Sequence, residues 1–461
     1  MPLPNLPNLP AIEIVAAVVF GCALVHTFAA KQFERLSRRL PQHAGLFHLL
    51  GEVEVVFGFW ALVLIVLMAG LSGGDAALAY AESRQYTEPL FVFVVMVIAA
   101  SRPVLQTVMA LTGAAARRLP MRTSLATAWL SLAAVPLLGS AITEPAAMTI
   151  AALMLAPQVF RPDVPERVKY LALGVLFVNI SIGGTLTSFA APPVLMVAAA
   201  WQWDSMYMLQ TFGWKAAVAV VVNASVATYA LRAHLPEVVA DADADAAAAA
   251  SSSSSSALGL STAPLRTVPT PARNASPGGA REGSAPLAVV LVHLAFLAGV
   301  VALAHHPVAF LGLFLMFLGF SQAYERYQSP LIIREALLVA FFLAGLVVLG
   351  GLQQWWLQPI VAGMSPEALF FGATALTAVT DNAALTYLGS LMAGISDEAK
   401  YSLVAGAVAG GGLTMIANAP NPAGVALLKQ GFSDETISAG GLLVGALAPT
   451  LVAVAAFTLL K

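Results

Sequence analysis

The sequence predicts an all-α polytopic membrane protein. It is expected to hold two inverted-topology repeats, each of about five transmembrane helices plus one re-entrant hairpin, with discontinuous helices. Three observations carry this. Residues are 59% hydrophobic and only 10% charged, against roughly 25% charged in a soluble domain. The apolar residues fall in runs of about 18 to 30, long enough to cross a hydrocarbon core of about 30 Å. Two short motifs recur in the same order about 230 residues apart.

The first span covers 11–30. The preceding "MPLPNLPNLP" lacks the positive n-region of a signal peptide, and the basic "KQFERLSRR" follows the span. It therefore reads as a retained helix with its N-terminus outside. Spans follow at 46–70, 88–113, 170–200 and 214–233, then at 286–304, 308–323, 335–352, 402–430 and 438–460. Basic residues mark cytoplasmic loops. They cluster after the first span (Lys31, Arg35, Arg38, Arg39), after the third (Arg117, Arg118, Arg122) and before the fourth (Arg161, Arg167, Lys169). Arg326 and Arg334 stand between the seventh and eighth. The opposite loops carry Trp and almost no Lys or Arg, as an interfacial belt does.

Two segments are too short to be pairs of full crossings. About 123–160 and about 366–394 each place a polar tip between arms of about 12 to 16 residues, a reach of about 18–24 Å. Both read as hairpins entering and leaving on one side, with Ser365 and Pro366 as N-cap and first residue of the second. The chain thus divides into a first repeat (1–234), a Ser-, Ala- and Pro-rich linker (235–285) and a second repeat (286–461). The linker composition cannot build a core, so it is expected to be a disordered cytoplasmic segment.

The hairpin tips are near-copies. "ITEPAAMT" (Ile142–Thr149) aligns with "VTDNAALT" (Val379–Thr386), pairing Thr143 with Thr380 and Glu144 with Asp381. "GGTLTSFAAPP" (Gly183–Pro193) aligns with "GGGLTMIANAP" (Gly410–Pro420), pairing Thr187 with Thr414. Five crossings separate equivalent points, so the second copy is inverted. Gly and Pro interrupt the helical ladder inside the fourth and ninth spans and free carbonyls there. With Thr hydroxyls and a carboxylate they make hard-oxygen cages, the ligand type hard cations prefer.

An acid inside a membrane span points to function. Asp381 is the stronger candidate, because Asn382 beside it can also coordinate. Glu144 is followed by Pro145 and is either a second titratable ligand or a structural partner of Arg102. Arg102 needs a counter-charge, whether Glu144, Glu54 or an anion. Glu52 and Glu54 are either proton-path residues or interfacial. Asn179 and Asn418, with Asn421, either ligate a cation or satisfy freed backbone groups. The cation and proton set is thus Asp381, Asn382, Glu144, Thr380, Thr143, Thr187, Thr414, Asn418 and Asn179, with Na+ at Asp381, Asn382, Thr414 and Asn418. His293, His305 and His306 lie near span ends and suggest no role.

Several classes are excluded. Net charge is −2, giving no basic surface for nucleic acid. The single cysteine, Cys22, rules out an internal disulfide or multi-cysteine centre. No HExxH, Walker A or DDxxD motif occurs, and no nucleophile–base set suggests an enzyme. No cofactor is expected beyond transported Na+ and H+.

"AVTDNAALTYLGS" followed by "GGGLTMIANAPN" resembles the hairpin and glycine–proline motifs of the ion transporter superfamily, within it the NhaD-type Na+/H+ antiporters. Arsenite efflux and dicarboxylate carriers are relatives. The specific likeness spans about 40 residues of a two-half match. It implies a homodimer in the membrane lipid, each protomer with a scaffold and a moving transport part, and tips and broken helices that bind a small cation. "TEP" and "AAPP" depart from the antiporter pattern in the first half. The function expected is exchange of Na+ (or Li+) for H+ across a bacterial inner membrane. Burial favours the protonated form of a carboxyl and a bound cation the ionised form, so the two ligands compete. The alternative is a Na+-coupled carrier of a dicarboxylate or oxyanion, including arsenite-type efflux.

Overall fold

The computed structural model describes residues 9–235 and 285–460. The expected linker falls outside them apart from its edges. Among the described residues every regular element is helical and no strand occurs.

Up to residue 235 the order begins with α1 (Leu9–Arg39), α2 (Ala44–Gly51), α3 (Val53–Ser72) and α4 (Gly74–Glu82). Next come α5 (Thr87–Ala99), α6 (Arg102–Ala116), α7 (Thr123–Leu132), α8 (Ala134–Ile142) and α9 (Glu144–Leu155). Then α10 (Glu166–Gly183), α11 (Pro192–Trp201), α12 (Ser205–Met208) and α13 (Trp214–Leu231), with a π-helical turn, Leu209–Gly213, joining the last two.

From residue 285 come α14 (Leu287–Ala302), α15 (Pro307–Ala323), α16 (Ile333–Gly350) and α17 (Gln354–Ala362). They are followed by α18 (Pro366–Thr377), α19 (Asn382–Ser390), α20 (Asp397–Gly410), α21 (Asn421–Leu428) and α22 (Ala439–Leu459). Among the described residues six helices are long and apolar enough to cross a membrane, or up to eight if each bent pair counts as one span. The protein is a multi-pass helical membrane protein.

Burial orders the helices. The α10 span is 83% buried, the α1 span 33%, so α10 runs through the middle and α1 along the edge. Around α10 pack α8, α13 and α22, while α3 and α5 pack on α16. The short helices exchange partners: α9 lies against α21, and α19 against α11. Their preceding arms stay local, α8 against α10 and α18 against α20.

The helix ends follow from local chemistry. Pro366 opens α18 and Ser365 caps it, Ala368 N donating to Ser365 Oγ at 3.2 Å. Ser396 and Ser438 cap α20 and α22 in the same way. Two carbonyls left free where α16 ends, Val347 O and Val348 O, accept from Tyr387 at 3.1 Å and Tyr80 at 2.6 Å.

Three readings change. The third span is not one helix: α5 and α6 meet at 63°. Arg102 therefore opens a helix instead of sitting deep within one. Pro103 has no N–H to give a preceding turn and fits a first turn. The second span is likewise interrupted at Glu52, which stands extended at the N-cap position of α3 and pairs with Arg334 at 2.7 Å. His293 lies inside α14, fully buried, bonded to Val289 O and to Gln328.

Candidate functional site

Both acidic octets sit at helix starts. α8 stops at Ile142, Thr143 takes φ +78°, and Glu144 begins α9. Positive φ is costly for a β-branched residue, so Thr143 is strained. That turn buries both Thr143 and Glu144. In the other octet Asp381 caps α19. Its Oδ1 accepts from Ala383 N at 2.8 Å and Ala384 N at 3.2 Å, so Oδ2 takes no part in the cap. Thr380, half-buried, closes the preceding turn through its own N–H to Leu376 O.

The two glycine–proline stretches unwind. α10 gives way at Gly184 and helix resumes at Pro192; α20 gives way at Gly411 and helix resumes at Asn421. Side chains take up the backbone groups released there. Ser140 Oγ donates to Gly183 O and accepts from Leu186 N, and Thr187 Oγ1 donates to Ser140 O at 2.6 Å. Thr414 Oγ1 donates to Ala378 O at 2.9 Å, and Asn421 Nδ2 to Gly411 O and Thr414 O.

These parts meet. Asn418 Nδ2, in the second unwound stretch, donates to Glu144 Oε2 at 2.9 Å. The backbone N–H of Asn382 donates to Ala417 O at 3.1 Å, and its Nδ2 reaches Ser181 Oγ of α10 at 3.4 Å. Glu144 Oε1 lies beside Gly184 of the first unwound stretch, where a Cβ would stand 2.5 Å from it. Asp381 is an electrostatic neighbour of both Glu144 and Glu54.

What remains is a surplus of oxygen. Thr143 Oγ1, Glu144 Oε1, Asn382 Oδ1, Asn418 Oδ1 and Asn421 Oδ1 are buried with no hydrogen-bond partner. A buried polar atom left unpaired costs about 1–3 kcal/mol; four of these are carboxylate or amide oxygens that accept, and the Thr143 hydroxyl can also donate. The set combines one carboxylate with hydroxyl and amide oxygens. No group of three His, Cys, Asp or Glu fit for a metal occurs among the described residues. Oxygen donors of this kind suit a hard cation.

Not every sequence candidate joins this group. Asn179 lies deeper in α10, with Nδ2 donating to Leu132 O at 2.8 Å and Val220 O at 3.2 Å, and Oδ1 accepting from Asn223. Pro136 explains the first bond: it has no N–H to give Leu132 O, and Asn179 supplies one. Arg102 is buried at the start of α6, while the hydrogen bond that reaches Glu144 comes from Asn418. Ser140, Ser181 and Asn223 join the polar network without standing out in the sequence, since their partners lie 43, 227 and 44 residues away.

No curated protein matches the chain. A solved structure titled "Crystal structure of the Alcanivorax borkumensis YdaH transporter reveals an unusual topology" is similar at 14% identity with a TM-score of 0.40, over 88% of this chain and 96% of that one. Residues 11–460 match the family described as "Putative Na+/H+ antiporter", and with a match over nearly its whole length the chain belongs to that family.

Proposed function

We propose that this protein exchanges Na+ (or Li+) for H+ by alternating access, with cation and proton competing for Glu144 and Asp381. The observation that carries the reading is the buried set of unpartnered oxygens around the Glu144–Asn418 bond. A cation coordinated there would use Glu144 Oε1 with the amide oxygens of Asn382 and Asn418. Asp381, capped through Oδ1 alone, would offer Oδ2. Thr143, Thr380, Thr187 and Thr414 would shape the two tips, and Asn179 would hold α10 in place. A proton on either carboxyl removes the charge that binds the cation, and a bound cation favours the ionised carboxyl. Each ligand therefore expels the other, which couples the fluxes.

The reading includes an inverted repeat with two re-entrant hairpins, α7–α9 and α18–α19. The partner exchange of the short helices supports it: each helix after a tip packs on the broken helix of the opposite half. Rocking that assembly against the α3–α5–α16 group would expose the acids to either side in turn. A carrier of dicarboxylate or oxyanion would need donors facing the ligand, whereas four of the five unpaired atoms, those of Glu144, Asn382, Asn418 and Asn421, are oxygens that accept.

The test is a pH-sensitive dye in liposomes containing the purified chain, read on addition of Na+, Li+, K+ or Ca2+. Na+ and Li+ should move protons, and Asp381→Asn and Glu144→Gln should each abolish the movement. Wild-type exchange in both variants would overturn the assignment.

A further inference from the structure

A second polar feature lies away from the acidic tips, at the edge of the bundle. Glu13 stands on the edge helix α1, inside the apolar stretch Leu9–Thr27. It is half-buried, and no hydrogen bond or ion pair reaches it among the described residues. It lines a cavity of about 340 Å³ with Gly351, Leu352, Gln354, Trp355, Gln358 and Pro359. That volume is in the range of small-molecule sites.

A carboxylate in a span is expensive unless it meets a partner or faces a polar cavity. The opposite wall, α17, offers an indole face at Trp355 and a side-chain amide at Gln354. Carboxylate, aromatic face and amide oxygen together suit an ammonium group, held by charge and by cation–π attraction. Arg84 Nη1 approaches Gly351, but its guanidinium lies 4.6 Å over the Tyr80 ring and is bonded to Ser83 Oγ. Ile14 and Ile360, next in sequence to the lining residues Glu13 and Pro359, are 58% and 55% exposed.

We propose that the α1–α17 cavity binds a primary ammonium group, with Glu13 as its counter-charge and Trp355 as its aromatic wall. The floor of the cavity is anchored. Gln353 Nε2 donates to Ala16 O of α1 and to Leu349 O, and its Oε1 accepts from Trp356 Nε1. The far wall is tied to the segment that follows α19: Gln358 Nε2 donates to Ala393 O and Oε1 accepts from Ala393 N, both at 2.9 Å. An occupant would therefore brace α17 and, through Gln358, the segment leaving the Asp381-capped helix. The binding itself does not depend on the exchange reading.

The test is native mass spectrometry of the full chain in micelles holding equal phosphatidylethanolamine and phosphatidylglycerol. The wild type should retain the ethanolamine lipid over the glycerol lipid by about fivefold. Glu13→Gln should bring the ratio to one with helix content by circular dichroism unchanged. Trp355→Leu should lower it and serves if Glu13→Gln does not fold. A second arm measures melting with free ethanolamine in phosphatidylglycerol alone. Protection that Glu13→Gln abolishes identifies a soluble amine as ligand; no protection, with the lipid preference intact, identifies the headgroup. A wild type with neither a lipid preference nor protection by ethanolamine, or both variants keeping the wild-type ratio, would overturn the proposal.

Discussion

Asn418 Nδ2 donates to Glu144 Oε2 at 2.9 Å across 274 residues of sequence. One bond thus joins the first acidic tip to the second unwound helix, and each residue keeps a free buried oxygen beside it. The bond orients the carboxylate so that Oε1 points away, toward Gly184.

Asn418→Leu should therefore remove two things, the donor that fixes Glu144 and the oxygen Oδ1. A hydrogen bond to a charged group contributes about 1.5–3 kcal/mol, so the half-saturating Na+ concentration should rise by at least tenfold. The dye assay titrated with Na+ measures it. A half-saturation within twofold of wild type would mean that Asn418 does not act on the cation.

Gly411 supplies a second test, one of space. A Cβ there would stand 2.1 Å from Ser181 Oγ and 2.9 Å from Asn382 Nδ2. Gly411→Ala must push both side chains, and overpacking of a buried site costs about 1–3 kcal/mol. The expected result is a lower melting temperature together with a loss of exchange. Ser181→Ala removes the nearer obstacle, so the double variant should recover part of both. Additive damage would show that the effect of Gly411→Ala does not run through its contact with Ser181.

How much of this was legible follows from what each residue's partners are. The apolar runs announced the spans because their lengths are set by the bilayer, as with 438–460 and α22, Ala439–Leu459. The two octets were visible because an acid among apolar neighbours stands out. The bend before Arg102 was hidden by apolar residues on both sides, although the Arg–Pro pair was its signature. Ser140 and Ser181 were illegible: each is a small hydroxyl whose acceptor lies 43 or 227 residues away, and spacing within a helix carries no trace of it. Asn179 was legible as polar but not as a brace, because its acceptor was released by Pro136 on another helix.

Asn179 divides the brace from the ligand set. Its bonds to Leu132 O, Val220 O and Asn223 tie α10 to α7 and α13. Asn179→Leu should strand those groups and lower stability by about 1–3 kcal/mol, read as a fall in melting temperature. The half-saturating Na+ concentration of the folded fraction should stay within about twofold of wild type, a bound well inside the effect of one lost ligand bond. A tenfold rise at unchanged melting temperature would move Asn179 into the cation's own shell.

Lys169 is another buried charge. It is 2% exposed, and its Nζ donates to Gly431 O at 2.6 Å while pairing with Glu166 at 3.2 Å. Glu166 Oε1 in turn accepts from Ser433 N and Ser433 Oγ, and Tyr170 OH meets Ser438. One turn of α10 thus grips the whole connection between α21 and α22. A buried ammonium is retained only where its donors are answered, and here a backbone carbonyl answers. Lys169→Met keeps the length of the side chain and removes that grip, leaving Gly431 O unpaired. Local opening is governed by how many such contacts hold a segment. Amide hydrogen exchange over 430–437 should therefore quicken by about tenfold, since one lost charged hydrogen bond is worth about 1.5–3 kcal/mol. Exchange in the middle of α10 should stay unchanged. Equal exchange in both proteins would show that Glu166 and Tyr170 suffice to hold the connection, and that the Lys169 charge is tolerated there without bracing it.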